Sequence, residues 1–128
     1  MANTRAVHTE RAPAAVGPYS QGVLAGEFFF SAGQVGLDPA TGEFVGGDIV
    51  SQTRQVFRNL AAVLEAAGLS FRNVVKTNVF LADMSDFGVV NAIYAEHFEE
   101  PYPARSTVAA AELPKGARVE IDIVARTD

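Results

Sequence analysis

An α+β domain, a mixed sheet with two helices, is what the order of elements predicts: strands, helix, strand, helix, then two strands. Three observations carry that reading. Apolar residues recur at helical spacing in only two stretches, around Val56 to Ala67 and Phe87 to Phe98, while the other apolar runs alternate with period two. The third observation is the run Phe28-Phe29-Phe30, which presents bulky apolar groups to both faces of its strand. Two helices can blanket only one sheet face. The other face, which also carries Phe80, is therefore expected to be covered by another subunit.

Taken in order, Thr4 to Thr9 reads as a short edge strand, with His8 a surface residue of it. Arg11 to Gly17 is a small-residue loop, and Gly17-Pro18 is a turn signal ahead of Tyr19-Ser20-Gln21. A strand then runs to about Ala25, Gly26-Glu27 turns the chain, and Phe28 to Gln34 returns as the second arm of a hairpin. Leu37 to Glu43 is a loop opened by Asp38-Pro39 and closed at Gly42. Asp48 is the expected N-cap of the first helix and Gly68 its stop, with Val56, Leu60, Val63, Leu64 and Ala67 as the buried stripe. Arg54, Arg58 and Glu65 fall off that stripe.

Asn73 to Ala82 is a strand with Val75, Thr77, Val79 and Leu81 on one face and Lys76, Asn78, Phe80 and Ala82 on the other. Ser85 or Asp86 is expected to cap the second helix, whose stripe is Phe87, Val90, Tyr94 and Phe98 with Ile93 beside it. Asn91 lies in mid-helix, where an asparagine is ordinarily solvated or bonded to backbone. Pro101 and Pro103 end helical structure, and Ala104 to Val108 is extended. Leu113-Pro-Lys-Gly116 is a turn, and Arg118 to Ala125 is the final strand, with Val119, Ile121 and Ile123 opposite Glu120 and Asp122.

Composition narrows the function. The chain has 128 residues, 48% hydrophobic and 20% charged, which describes a single globular domain over residues 1–128. A net charge of −5 argues against a dedicated nucleic-acid or anionic-membrane binder. Without cysteine there is no disulfide, thiolate metal site or cysteine nucleophile, and two distant histidines make no metal case. No window approaches a membrane span and the N-terminus lacks a secretory pattern, so a cytoplasmic location is expected.

Within Tyr102-Pro-Ala-Arg-Ser-Thr-Val108, Arg105 and Thr107 share a strand face and Ser106 opposes them. A guanidinium fork at a strand mouth suits a planar carboxylate. Taken alone, the stretch fits better a surface arginine paired with an acid such as Glu99. The wider pattern changes that. Ala12-Pro-Ala-Ala-Val-Gly-Pro-Tyr-Ser-Gln21, Ala32-Gly-Gln34, Glu65-Ala-Ala-Gly68, Asn73-Val-Val-Lys-Thr77, Asp86-Phe87 through Val90-Asn91, Pro103-Ala-Arg-Ser106 and Leu113-Pro-Lys-Gly-Ala-Arg-Val-Glu-Ile121 follow one another in order. In sequence and spacing the chain resembles the reactive intermediate deaminase family (Rid, also called YjgF or L-PSP), in its imine/enamine deaminase branch, over almost its full length.

That resemblance implies a chorismate-mutase-like subunit that assembles as a homotrimer with active sites in the intersubunit clefts. It implies that Arg105 binds a substrate carboxylate, that Glu120 orients the attacking water, and that Tyr19 and Asn91 shape the pocket together with Gly33 and Thr107. Two positions depart from the family pattern: Ala32 stands where a substrate-contacting serine is common, and Thr107 where cysteine is common. The expected reaction is hydrolysis of a 2-imino acid or its enamine to a 2-keto acid and ammonia. An iminium carbon is already electrophilic, so neither metal nor cofactor is expected. Three other readings remain: a trimer that binds keto or imino acids without turnover, an endoribonuclease or translation inhibitor, and a purely structural protein. The acidic balance speaks against the second.

Overall fold

The computed structural model describes residues 4–128 and has the expected chorismate-mutase-like α+β architecture. One six-stranded mixed sheet is built from β1 (Thr4–Val7), β2 (Gly22–Ala25), β3 (Phe28–Ser31), β4 (Val74–Leu81), β5 (Ala104–Ala109) and β6 (Val119–Arg126). In space the strands lie in the order β1-β2-β3-β6-β4-β5. Only β4 and β5 are parallel. A parallel neighbour needs a crossover, and the second helix, α2 (Phe87–Ala95), supplies it. No helix among the described residues is long and apolar enough to cross a membrane.

The first helix, α1 (Ile49–Ala66), starts where the sequence predicts: the Asp48 carboxylate accepts from the Ser51 N–H at 2.9 Å. It stops at Gly68, whose φ of +78° is open to glycine at little cost. Val56, Leu60, Val63 and Leu64 are fully buried against Phe29, Val79, Leu81, Ile121 and Ile123 of the sheet. The hairpin phenylalanines divide as their alternation requires. Phe29 is wholly buried under the helices, whereas Phe28 and Phe30 are 40% and 44% exposed on the opposite, open face.

Two local expectations change. Val75 is exposed and Val74 buried, because a bulge between Val74 and Lys76 resets the alternation before Thr77. The turn into α2 is capped by Asp83, which accepts from the Ser85 N–H at 2.8 Å. Neither Ser85 nor Asp86 caps the helix. Asp86 makes no side-chain cap and instead takes Arg118 Nη2 at 2.9 and 3.2 Å, tying the start of α2 to the start of β6.

Candidate active site

The residues singled out in the sequence gather into two groups on opposite faces of the sheet. The first group lies on the helix side. Arg105 of β5 pairs in register with Thr77 of β4, a buried residue whose hydroxyl meets the Tyr94 phenol at 2.9 Å. The Arg105 guanidinium carbon sits 4.7 Å from the Tyr94 ring centroid and 5.5 Å from that of Phe87. Arg105 Nη1 donates to Asn91 Oδ1 at 2.7 Å. Asn91 is thus bonded to a side chain and not to backbone. It holds one arm of the fork while two aromatic faces support its plane. Among the described residues Arg105 makes no ion pair, with Glu99 or any other acid, and its one side-chain hydrogen bond is that to Asn91. Two residues along the same strand face, Thr107 Oγ1 is shielded from solvent and has no partner among the described residues. A forked cation supported by aromatic faces is a ready complement to a carboxylate.

The second group lies on the open side. Glu120 of β6 pairs with Phe80 and lines a cleft of about 750 Å³ together with Tyr19, Gly33 and Lys115. The segment after β3 is laced to β6 by a reciprocal pair, Gln34 N–H to Ile121 O at 2.9 Å and Ile121 N–H to Gln34 O at 3.1 Å. That pairing presses Gly33 onto the carboxylate: a Cβ at position 33 would overlap Glu120 Oε2. A side chain at position 33 would therefore displace the Glu120 carboxylate, and glycine is favoured here by close approach and not by an unusual backbone angle. Among the described residues no side chain donates to Glu120. Burial, and next the nearby Asp122 carboxylate, push its carboxyl group above the ordinary glutamate range. Asp122 itself accepts from Asn78 Nδ2 at 2.9 Å. Tyr19 stands half exposed at the rim.

Arg105 with Asn91 and Thr107, and Glu120 with Gly33 and Tyr19, are therefore two half-sites that one chain keeps apart. β5 is the last strand of the sheet, so the first half-site sits at its edge. Several contributors had weaker sequence signals. Tyr94 and Phe87 read as plain stripe residues, although a buried tyrosine hydroxyl always needs a partner and Tyr94 finds it in Thr77. Lys115, read only as part of a turn, adopts φ +56° on the rim of the Glu120 cleft.

The family model described as Endoribonuclease L-PSP matches residues 9–127. A 2-iminobutanoate/2-iminopropanoate deaminase of Mus musculus is 50% identical over 121 residues, covering 94% of this chain and 90% of that protein. A RutC family protein of Pyrococcus horikoshii is 52% identical over 119 residues, covering 93% and 94%. Among solved structures, RidA from an Antarctic Psychrobacter superposes with a TM-score of 0.91 at 48% identity, covering 95% of this chain and 98% of that one.

Proposed function

The chain belongs to the L-PSP, or Rid, family, and from that premise we propose that it is a hydrolytic deaminase of reactive 2-imino acids and their enamines, such as 2-iminopropanoate and 2-iminobutanoate. The observation that carries this reading is the pairing of chemistries in the two half-sites. One offers an aromatic-backed arginine fork for a carboxylate, the other a carboxyl group with a raised pKa and no protein donor. A 2-imino acid needs both within a few ångströms. Since one chain holds them on opposite faces, the working site is an intersubunit cleft of a homotrimer. Exposed Phe28, Phe30 and Val108 on the open face, and the unpaired edge of β5, support such an assembly.

In that cleft Arg105 takes the substrate carboxylate, with Asn91 fixing the fork and the Thr107 hydroxyl adding a donor. Holding the carboxylate places C2, which is catalysis by orientation. Glu120 accepts a proton from water as its oxygen adds to C2. The same carboxyl group then returns a proton to nitrogen. As the C–N bond breaks and ammonia leaves, the Glu120 carboxylate takes the proton of the new hydroxyl, so that the water oxygen remains as the carbonyl of the keto acid. Gly33 leaves room for Glu120, and the Tyr19 phenol closes the rim. The substrate is a small molecule; neither nucleic acid nor membrane enters the reaction. In a cell this is damage control, the cytoplasmic clearance of reactive imines by a single deaminase domain spanning residues 1–128.

The test is a coupled assay with an imine generated in situ by an amino-acid oxidase, following keto acid and ammonia after subtraction of the rate without protein. Acceleration proportional to protein concentration is expected. If keto acids bound but no imine was hydrolysed faster than in buffer, the protein would be a sensor and the deaminase reading would fall.

A further inference from the structure

Resting on the deaminase reading, we infer that the Glu120 cleft is a preformed side-chain pocket which selects 2-imino acids with extended aliphatic or aromatic side chains over those with a methyl or ethyl side chain. C2 of a 2-imino acid carries three substituents: carboxylate, nitrogen and side chain. With the carboxylate on Arg105 of a neighbouring copy and C2 beside Glu120, the side chain is left to run along the floor of the cleft. The walls there are Pro13, Val16, Val35, Leu37 and Pro39, with Ala32 next to Gly33. These walls offer apolar surface, while the charged groups of the cleft are Glu120 and, at the rim, Lys115. Ala32 contributes a methyl group at the point nearest the carboxylate's glycine contact, so no hydroxyl must be satisfied when an apolar side chain slides past. The apolar wall from Pro13 to Pro39 spans more side chains than a methyl or ethyl group can cover.

Both walls are fixed from behind by buried amides. The Gln21 side chain, 2% exposed, donates Nε2 to the carbonyls of Pro13, Thr9 and Ala12 at 2.8, 3.0 and 3.2 Å, and its oxygen accepts from the Thr9 N–H at 2.7 Å. Asn59, fully buried on α1, donates Nδ2 to the carbonyls of Leu37 and Val35 at 3.0 and 3.1 Å. The wall positions are thereby set before any ligand arrives, and apolar area gained on binding is not offset by the ordering of loops.

The experiment compares imines generated from leucine and from alanine on one preparation, so that the ratio of the two kcat/KM values is independent of the active fraction. A ratio of roughly tenfold or more in favour of the leucine-derived imine is expected, the scale at which added carbons discriminate in an apolar pocket. Val16 is 85% exposed, so Val16→Asp leaves folding intact, and it should move the ratio toward one. Calorimetry with 4-methyl-2-oxopentanoate and pyruvate reads the same preference without turnover. A ratio at or below one, a ratio unmoved by Val16→Asp, or equal binding of the two keto acids overturns the inference and leaves the deaminase reading standing. Preferential binding of the longer keto acid with no hydrolysis of either imine upholds the pocket and overturns the deaminase reading.

Discussion

Glu120→Gln is expected to lower kcat by about 10²–10⁴-fold, the usual cost of removing a general base, while binding of inert keto acids stays near that of the unmodified protein. Glutamine keeps the shape of the side chain beside Gly33 but can neither take a proton from water nor return one to nitrogen. Misfolding cannot mimic the effect, and the sign of the pKa shift shows why. Burial raises the folded-state pKa of Glu120, so the fold disfavours its ionised form. Between the ordinary glutamate pKa and that raised value the unfolded chain binds fewer protons than the folded one, and stability falls as pH rises through the window. The glutamine variant escapes this loss and should be at least as stable at neutral pH. The same shift sets the pH profile. With Glu120 as the proposed general base, kcat/KM should fall on the acid side with a limb above the ordinary carboxylate range, and that limb should disappear from the residual rate of Glu120→Gln. Full turnover in the variant would exclude the water-activating role.

Arg105→Ala is expected to weaken binding of imino acids and of inert keto acids alike, by roughly 2–4 kcal/mol in a closed intersubunit pocket, because it removes the partner of a carboxylate that the cleft would enclose. The carboxylate does not change during hydrolysis, so this is uniform binding: KM should rise more than kcat falls. Lysine at 105 should recover only part of the loss. An ammonium can pair with a carboxylate, but it cannot also give a coplanar N–H to Asn91 while lying flat over Tyr94 and Phe87. Normal binding of pyruvate by Arg105→Ala, read by calorimetry, would move the carboxylate anchor elsewhere.

The contrast between these two residues shows how far the sequence could be read. Alternation alone places Glu120 opposite Ile121, and Arg105 on the face of Thr107, and both placements hold. What alternation does not say is whether the two faces are the same face of the sheet. That depends on β5 lying parallel to β4 beyond β6, a consequence of the α2 crossover and of no local pattern. The phenylalanine triplet was legible because three bulky groups in a row cannot all point inward. Val75 was not, since a bulge is invisible to a period-two pattern. Asp83, Ser85 and Asp86 are all good caps, and only the Arg118 contact shows why Asp86 is engaged elsewhere. Gln21 and Asn59 have polar side chains that pattern reading assigns to solvent; both are buried because loop carbonyls need donors. Resemblance pointed to Gly33, but its physical reason, the approach of Glu120, belongs to the fold.

Whether the two half-sites meet across a subunit boundary is tested most directly by complementation. Arg105→Ala and Glu120→Gln chains, each nearly inactive alone, are co-assembled in equal amounts into mixed trimers. If each cleft of the proposed trimer takes Glu120 from one chain and Arg105 from its neighbour, roughly a quarter of the clefts in randomly mixed closed rings regain both intact residues. Recovery of about a quarter of the unmodified activity is the expected result. Activity that never exceeds the mean of the two variants would mean that Arg105 and Glu120 do not act together across chains, and would contradict the shared site.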